Sequence, residues 1–150
     1  MNNIVFIENG IVIEVIVTDE ALENKTIEQI ALESTDVPIN DILINVVTPK
    51  EPNESWYIEG GQIKIDQQKL IEFNRKNMPT LSPIEFDIKL NNAGLYDAVQ
   101  ELIKDNFEMR IAYNRATFFS RTASFVDQAR IALGLTDEQV DAMWEQALTL

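Results

Sequence analysis

The sequence predicts an α+β protein in which a small N-terminal antiparallel β-sheet module with one short helix is followed by a C-terminal bundle of four or five short α-helices. Two observations lead to this fold class. The spacing of apolar residues changes from the period of two typical of strands to the period of about 3.6 typical of helices around residue 66. Helix-start signals are then concentrated after residue 80. We therefore predict a β module at residues 1–65, a connecting helix and linker at 66–80, and a helical module at 81–150.

The β module is predicted from turn signals between apolar runs. Asn9-Gly10 separates the two runs of "NIVFIENGIVIEVIV", and this dipeptide favours a tight hairpin because both of its residues tolerate a positive φ. "TIEQIALES" has the spacing of a short amphipathic helix, and "DILINVVT" is typical of a third strand. "SWYIEGGQIKI" predicts a second hairpin that turns at Gly60-Gly61. The expected product is a small, twisted antiparallel sheet with one helix.

The connecting segment is predicted to join two modules rather than to form a loop inside one. Asp66 is a plausible cap for the helix in "DQQKLIEFNRKN", and Met78-Pro79-Thr80 follows as a spacer. Each flanking part is close to the size at which a single core is marginal. This favours docking on a partner, self-association, or packing of one part on the other.

The helical module is predicted from caps and from apolar stripes. Ser82, followed by Pro83 and Glu85, is a capping box with proline at the first helical position, and Thr136 with Gln139 forms a second capping box. The stripes predicted to face the core are Leu95, Ala98, Val99, Leu102 and Ile103; Phe107, Ile111, Phe118 and Phe119; Phe125, Val126, Ala129 and Leu133; and Val140, Met143, Trp144, Ala147 and Leu148.

The composition excludes several classes of function. The formal net charge is -13, and residues 1–65 hold twelve acidic against three basic residues, so nucleic acid is not an expected partner. No apolar run approaches the roughly 20 residues that span a membrane, and the first residues lack the basic region of a secretory signal. We expect an intracellular protein with no membrane partner. The absence of Cys and His removes disulfides, cysteine nucleophiles, histidine bases and the usual zinc ligands.

Two carboxylate patterns have the residue types of chemical sites. Glu85 and Asp87 have the residue types of a general acid and base, but Glu85 is better explained as the capping-box acid. Asp137, Asp141 and Glu145 have the i, i+4, i+8 spacing of one helix face, which fits either a hard cation or a solvated surface; the second is favoured. We therefore predict no enzyme activity, no catalytic residue, no cofactor and no metal.

Partner-binding residues are predicted from side chains that anchor interfaces. Trp56 and Tyr57 are adjacent in a strand, so their side chains point to opposite faces and one of them is expected to be exposed. The arginines are concentrated in the helical module, where bidentate binding of carboxylates is an alternative to pairing within the chain. The predicted partner-binding set is Trp56, Tyr57, Arg110, Arg115, Arg121, Leu148 and Leu150.

Most of residues 81–148 resembles a known group of proteins. The runs "LSPIEFDIKLNNAGLYDAV", "RIAYNRATFFSRTASFV" and "LGLTDEQVDAMWEQAL" resemble a small helical protein found among the tail genes of bacteriophages and prophages. The N-terminal runs "VFIENGIVIEVIV" and "WYIEGGQIKI" resemble the small β modules of tail-fibre assembly and tail-associated proteins. They depart from that pattern at Ser55-Trp56-Tyr57, where Gly-Trp is usual, and at Glu59, where Asp is common.

This resemblance implies a non-enzymatic tail-associated interaction protein: a tail-fibre or baseplate assembly factor, or a minor tail component. The implied partner is a phage tail or tail-fibre protein, and the implied location is the host cytoplasm during assembly or the virion tail. The resemblance brings no catalytic residue with it. The alternative left open is a small acidic phage inhibitor that blocks a basic groove of a host defence or nucleic-acid-binding enzyme.

Overall fold

A computed structural model of the chain describes residues 2–149 and confirms the α+β class, with strands in the N-terminal half and helices in the C-terminal half. The chain divides into two compact units, Met1–Phe73 and Asn74–Leu150, which we call the β unit and the helical unit. Within residues 2–149, no helix is both long enough and apolar enough to cross a membrane.

The β unit contains a three-stranded and a two-stranded antiparallel sheet. The larger sheet has the order β2-β1-β3, so the first strand is central, and the smaller sheet is the β4-β5 hairpin. The strands are β1 (Asn2–Glu8), β2 (Ile11–Val17), β3 (Leu43–Ile44), β4 (Trp56–Glu59) and β5 (Gln62–Ile65).

Both predicted hairpin turns are confirmed. Asn9 and Gly10 have φ values of 51° and 79°, and Gly60 and Gly61 have φ values of 61° and 73°. Two consecutive left-handed residues give the backbone twist that matches a right-handed strand pair. Asn and Gly are the residues that adopt this conformation at low cost, so the turn chemistry sets the register of both hairpins.

The third strand is much shorter than predicted. The segment expected to be extended over residues 41–48 forms only the two-residue β3, after a 3₁₀ turn at Ile39–Asp41. Asn45 ends the strand because it adopts φ 54°, and its backbone N–H donates to the Asn3 carbonyl oxygen at 2.9 Å. The prediction of an eight-residue strand was therefore wrong; a left-handed asparagine cannot continue a ladder.

The helices of the β unit pack on one face of the three-stranded sheet. The predicted helix is present as α2 (Ile27–Ser34), with a capping box at Thr26, and a one-turn helix, α1 (Asp19–Leu22), was not predicted. Buried Ile4 and Phe6 of β1 point to the side covered by Ala31 of α2. The opposite face of β1 carries Val5, which packs against Trp56 of the β4-β5 hairpin. The central strand is thus covered on both faces.

Within residues 74–149, the helical unit contains the end of one helix and five complete helices. Helix α3 (Gln67–Lys76) starts at the predicted cap, since Asp66 Oδ1 accepts from the backbone N–H of Gln68 and Lys69 at 3.0 and 3.1 Å. The boundary between the compact units falls inside this helix. The other helices are α4 (Pro83–Asn92), α5 (Tyr96–Asp105), α6 (Phe107–Arg115), α7 (Ser124–Ala132) and α8 (Asp137–Ala147).

Part of the predicted linker is integrated into the helical unit. Met78 packs against its hydrophobic core, and the Trp144 indole Nε1–H donates to the Pro79 carbonyl oxygen at 2.8 Å. Leu81 then exchanges two backbone hydrogen bonds with Phe119, at 2.9 and 2.8 Å. Residues 78–81 are therefore held by contacts with α8 and with the segment before α7.

The core of the helical unit is built around aromatic rings. Phe86 stacks on Phe119 with a centroid separation of 4.1 Å, and the rings of Tyr113, Phe125 and Trp144 lie within 6.5 Å of Phe86. Of the predicted core stripes, the best buried members are Val99, Ile103, Phe119, Phe125, Val126, Ala129, Val140, Trp144 and Ala147.

Most of one predicted apolar stripe points to solvent instead of to the core. Phe107, Ile111 and Phe118 are exposed, and Met109 is the buried residue of α6. The helix ends at Arg115, so Phe118 and Phe119 lie outside it, Phe118 in a bend and Phe119 in an isolated β-bridge with Leu81. Only Phe119 reaches the core there.

Candidate interaction surfaces

Arg121 is the centre of an internal ion network. Its side chain is 3% exposed; Nε donates to Asp141 Oδ1 at 2.6 Å, and Nη2 donates to Asp137 Oδ1 at 2.8 Å. Arg75 Nε donates to the other oxygen of Asp141 at 2.8 Å. The inclusion of Arg121 in the partner-binding set is therefore corrected, because its guanidinium is enclosed and neutralised within the chain. Charge-assisted bonds of this kind hold α8 against the segment that precedes α7.

The same network contains two of the three carboxylates whose spacing fits a cation site. The hydrogen bond from Arg121 lowers the pKa of Asp137 below its ordinary value of 3.8, and the nearby charges of Arg75 and Arg130 lower it further. Asp137 and Asp141 are engaged by these guanidinium groups rather than directed toward a common cavity. Within residues 2–149, no group of three or more acidic side chains is placed to hold a metal ion.

The other carboxylate pair is divided between two structural roles. Glu85 accepts from the Ser82 backbone N–H at 2.7 Å in the predicted capping box, and this bond lowers the pKa of Glu85. Asp87 accepts a hydrogen bond from the Tyr113 hydroxyl, which also receives one from Gln100. Burial and the neighbouring Asp87 carboxylate raise the pKa of the Tyr113 hydroxyl, so Tyr113 stays a donor. The two carboxylates do not contact each other.

The outward side of α6 carries an apolar and charged surface. Phe107, Glu108, Ile111 and Arg115 lie on this side, which we call the α6 face, while Met109 faces the core. Phe107 is 66% exposed, although the Arg110 guanidinium lies 5.5 Å from its ring centroid. Such exposure of a phenylalanine beside an isoleucine on one helix is typical of a contact surface.

The arginines of the helical unit divide into those paired with carboxylates of the unit and those that point outward. Arg75, Arg121 and Arg130 pair with carboxylates of the helical unit. Arg110 donates to the Lys104 carbonyl oxygen at 2.7 Å and has no carboxylate partner among residues 2–149. Arg115 is exposed and likewise has no ion pair within that range. These two arginines therefore remain candidates for binding a partner.

The two aromatic residues of β4 also differ in exposure, with one side chain buried and the other exposed. Trp56 is buried, and its indole Nε1–H donates to the Glu51 carbonyl oxygen at 2.8 Å. Tyr57, on the opposite side of the strand, is 39% exposed and lies across from Lys64 of β5. The predicted exposure of one of the two is confirmed, and Tyr57 is the one that can contact a partner directly. Trp56 instead fixes the hairpin on the sheet.

An open groove on the β unit was not predicted. It has a volume of about 460 Å³, and its lining combines apolar side chains with the polar residues Asn40 and Asp41. One feature of the sequence could have indicated this groove. The apolar run of β1 is continuous, which is typical of a strand covered on both faces, and Ile7 lies where that cover ends. We call this feature the β-unit groove; its lining residues are Ile7, Val37, Asn40, Asp41, Leu43, Ile58 and Gly61.

Of the two predicted C-terminal leucines, only Leu148 is among the residues that the structure describes. Leu148 caps the end of α8 and is partly exposed, and Leu150 lies outside the described residues.

No protein-family model, curated protein or solved structure matches the chain. Function is therefore inferred from the sequence motifs and from the exposed surfaces of the chain.

Proposed function

We propose that the protein is a non-enzymatic, tail-associated interaction protein of a phage or prophage, either a tail-fibre or baseplate assembly factor or a minor tail component. The assignment to a tail is supported by the sequence motifs of residues 81–148 and of the N-terminal half. The mode of action is supported by the β-unit groove.

The β-unit groove has the chemistry of a site for an apolar anchor of another protein. Ile7, Leu43 and Ile58 supply an apolar surface that stays accessible, and Asn40 and Asp41 add polar groups beside it. An apolar side chain that fills such a groove is removed from water, and the polar rim fixes its orientation. A segment of a tail or fibre protein with a protruding aliphatic or aromatic residue is the partner that fits best.

The first experiment asks whether the chain belongs to the particle. The gene is deleted, and wild-type and deletion particles are purified and compared by mass spectrometry and electron microscopy. Stoichiometric presence in wild-type particles supports a minor tail component. Absence from particles, together with fibre or baseplate loss on deletion, supports an assembly factor. Complete, infective particles made without the protein would overturn both forms of the proposal.

The second experiment tests the groove with a matched pair of variants. Ile7→Glu places a charge in the groove, whereas Ile16→Glu introduces the same change on β2 at a residue of equal exposure, 47%, outside it. We expect Ile7→Glu to reproduce the deletion phenotype and Ile16→Glu to behave like wild type. Equal phenotypes at matched expression levels would show that the groove is not the contact site.

A second candidate function is favoured by the charge of the β unit. With twelve acidic and three basic residues at positions 1–65, this part would be attracted to a basic groove of a host enzyme. Affinity capture from the lysate of phage-producing host cells, which contains both host enzymes and tail proteins, distinguishes the two functions. Capture of a host nucleic-acid-binding enzyme that the purified chain inhibits would replace the tail assignment with the second function. Capture of a tail protein by wild type but not by Ile7→Glu would support the tail assignment.

A further inference from the structure

Three exposed groups on the α6 face are placed symmetrically along the helix. Ile111 is at the centre, Phe107 precedes it by four residues and Arg115 follows it by four. At 1.5 Å per residue, Phe107 and Arg115 lie about 6 Å on either side of Ile111 along the axis. Glu108 lies on the same side of the helix and has no ion pair among residues 2–149.

We propose that two copies of the chain form a dimer through the α6 face, with their α6 helices antiparallel and the twofold axis at Ile111. In this arrangement the two Ile111 side chains meet at the axis. Phe107 of each copy lies opposite Arg115 of the other copy. Each contact occurs twice, as in every interface between identical surfaces related by a twofold axis.

The charges on the α6 face fit this pairing. Arg115 of one copy comes within reach of both the Phe107 ring and the Glu108 carboxylate of the other copy. A guanidinium is attracted to the face of an aromatic ring as well as to a carboxylate. Arg110 already covers one side of the Phe107 ring, and the ring remains largely exposed elsewhere. Within one copy, Glu108 and Arg115 are seven residues apart, about 10 Å along the axis, which leaves them unpaired.

A second copy fits this surface better than an unrelated acidic protein. A net charge of -13 opposes every contact between two copies, so a stable dimer has to cover apolar surface and match opposite charges. The α6 face meets both conditions, because it holds apolar side chains, one acid and one unpaired arginine. A purely acidic partner would match Arg115 but would leave Glu108 facing like charge.

The mass of the purified full chain in solution tests the dimer directly. Sedimentation equilibrium at micromolar concentration and physiological salt is expected to give twice the chain mass of 17.1 kDa. Ile111→Glu places two carboxylates at the twofold axis, and we expect it to give a monomer with an unchanged circular dichroism spectrum. Ile131→Glu makes the same change at an exposed isoleucine of α7 and is expected to leave the dimer intact.

A charge exchange tests the antiparallel register. Arg115→Glu alone and Glu108→Arg alone each place like charges opposite one another twice, and each is expected to raise the dimer Kd roughly tenfold or more. The double variant Glu108→Arg/Arg115→Glu restores opposite charges across the axis and is expected to recover most of that loss. A monomeric wild type, a dimer that persists in Ile111→Glu, or no recovery in the double variant would each overturn the proposal.

Discussion

The two compact units bury their apolar residues in different ways. In the β unit, the central strand divides the core, with Phe6 packing on the side of the helices and Val5 on the side of the hairpin. In the helical unit, one continuous cluster surrounds the stacked rings of Phe86 and Phe119. The comparison shows why the β unit requires apolar residues at consecutive positions of one strand, whereas the helical unit requires them at helical spacing.

The buried polar groups of the two units differ as well. Arg121 in the helical unit is satisfied by two carboxylates and a carbonyl oxygen. Asn3 in the β unit donates to Glu14 at 2.7 Å and to the Val46 carbonyl oxygen at 2.9 Å. Its Oδ1 has no hydrogen-bond partner within residues 2–149. An unsatisfied buried acceptor weakens a core, so the helical unit is expected to be the more stable of the two.

The largest expected effect comes from removing the central ring of the helical unit. Phe86→Ala deletes a buried side chain that contacts four other aromatic rings, and a loss of about 3–5 kcal/mol in the free energy of unfolding is expected. The chain has two tryptophans, one in each unit, so fluorescence can follow the units separately. In a Trp56→Phe background, the signal of Trp144 reports the helical unit.

The same substitution tests whether the units unfold independently, as the predicted join between them implies. In a Trp144→Phe background, the signal of Trp56 reports the β unit. We expect Phe86→Ala to leave this second transition unchanged relative to its own background. An equal shift of both transitions would mean that the two units unfold as one.

The next effect comes from the ion network of the helical unit. Arg121→Met removes the buried charge and leaves the carboxylates of Asp137 and Asp141 partly unpaired, so a loss of about 3 kcal/mol is expected. Arg130→Met is the matched control, because Arg130 is more exposed than Arg121 and pairs with Asp127 as well as, at 3.4 Å, with Asp137, so its loss is expected to be smaller. Denaturant titration of both variants, followed by Trp144 fluorescence, gives the comparison. Equal losses would contradict a special role for the buried arginine.

Features set by local chemistry were predictable from the sequence. The turn at Asn9-Gly10 and the capping boxes at Ser82 and Thr136 depend on residues within three positions of each other, and all were predicted correctly. The third strand was not predicted correctly, because its end depends on Asn45 bonding to Asn3, a residue 42 positions away. Local sequence preferences do not predict a contact between residues so far apart in the chain.

The orientation of α6 shows why the candidate surfaces were only partly predictable. This helix has two apolar rows, one with Phe107 and Ile111 and one with Met109 and Tyr113, so its sequence favours neither side. Tertiary contacts determine which row faces the core, because the Tyr113 hydroxyl donates a hydrogen bond to Asp87 of α4. For the same reason, spacing alone did not separate the internal Arg121 from the exposed Arg115.

A smaller effect compares equivalent caps in the two units. Thr26 in the β unit and Thr136 in the helical unit each accept from a backbone N–H of the first helical turn, at 3.3 and 3.2 Å. Thr26→Ala and Thr136→Ala are each expected to cost about 1 kcal/mol in their own unit. Each variant serves as the control for the other when the two single-tryptophan backgrounds are used. A Thr26→Ala effect reported by Trp144 would contradict separate unfolding.

The smallest effect is a pH dependence of the helical unit. Because the pKa of Asp137 is lowered in the folded chain, the unfolded state binds more protons than the folded state in acid. The stabilisation is complete above the ordinary, unfolded pKa of 3.8 and is lost as the pH falls through the lower folded pKa. The acid side of the stability curve reported by Trp144 should therefore be steeper in wild type than in Arg121→Met, which removes the largest cause of the shift. Arg130→Met, which removes a smaller cause of the shift, should change the steepness of this acid side less. An equal or larger change in Arg130→Met would mean that Arg121 does not set the protonation of Asp137.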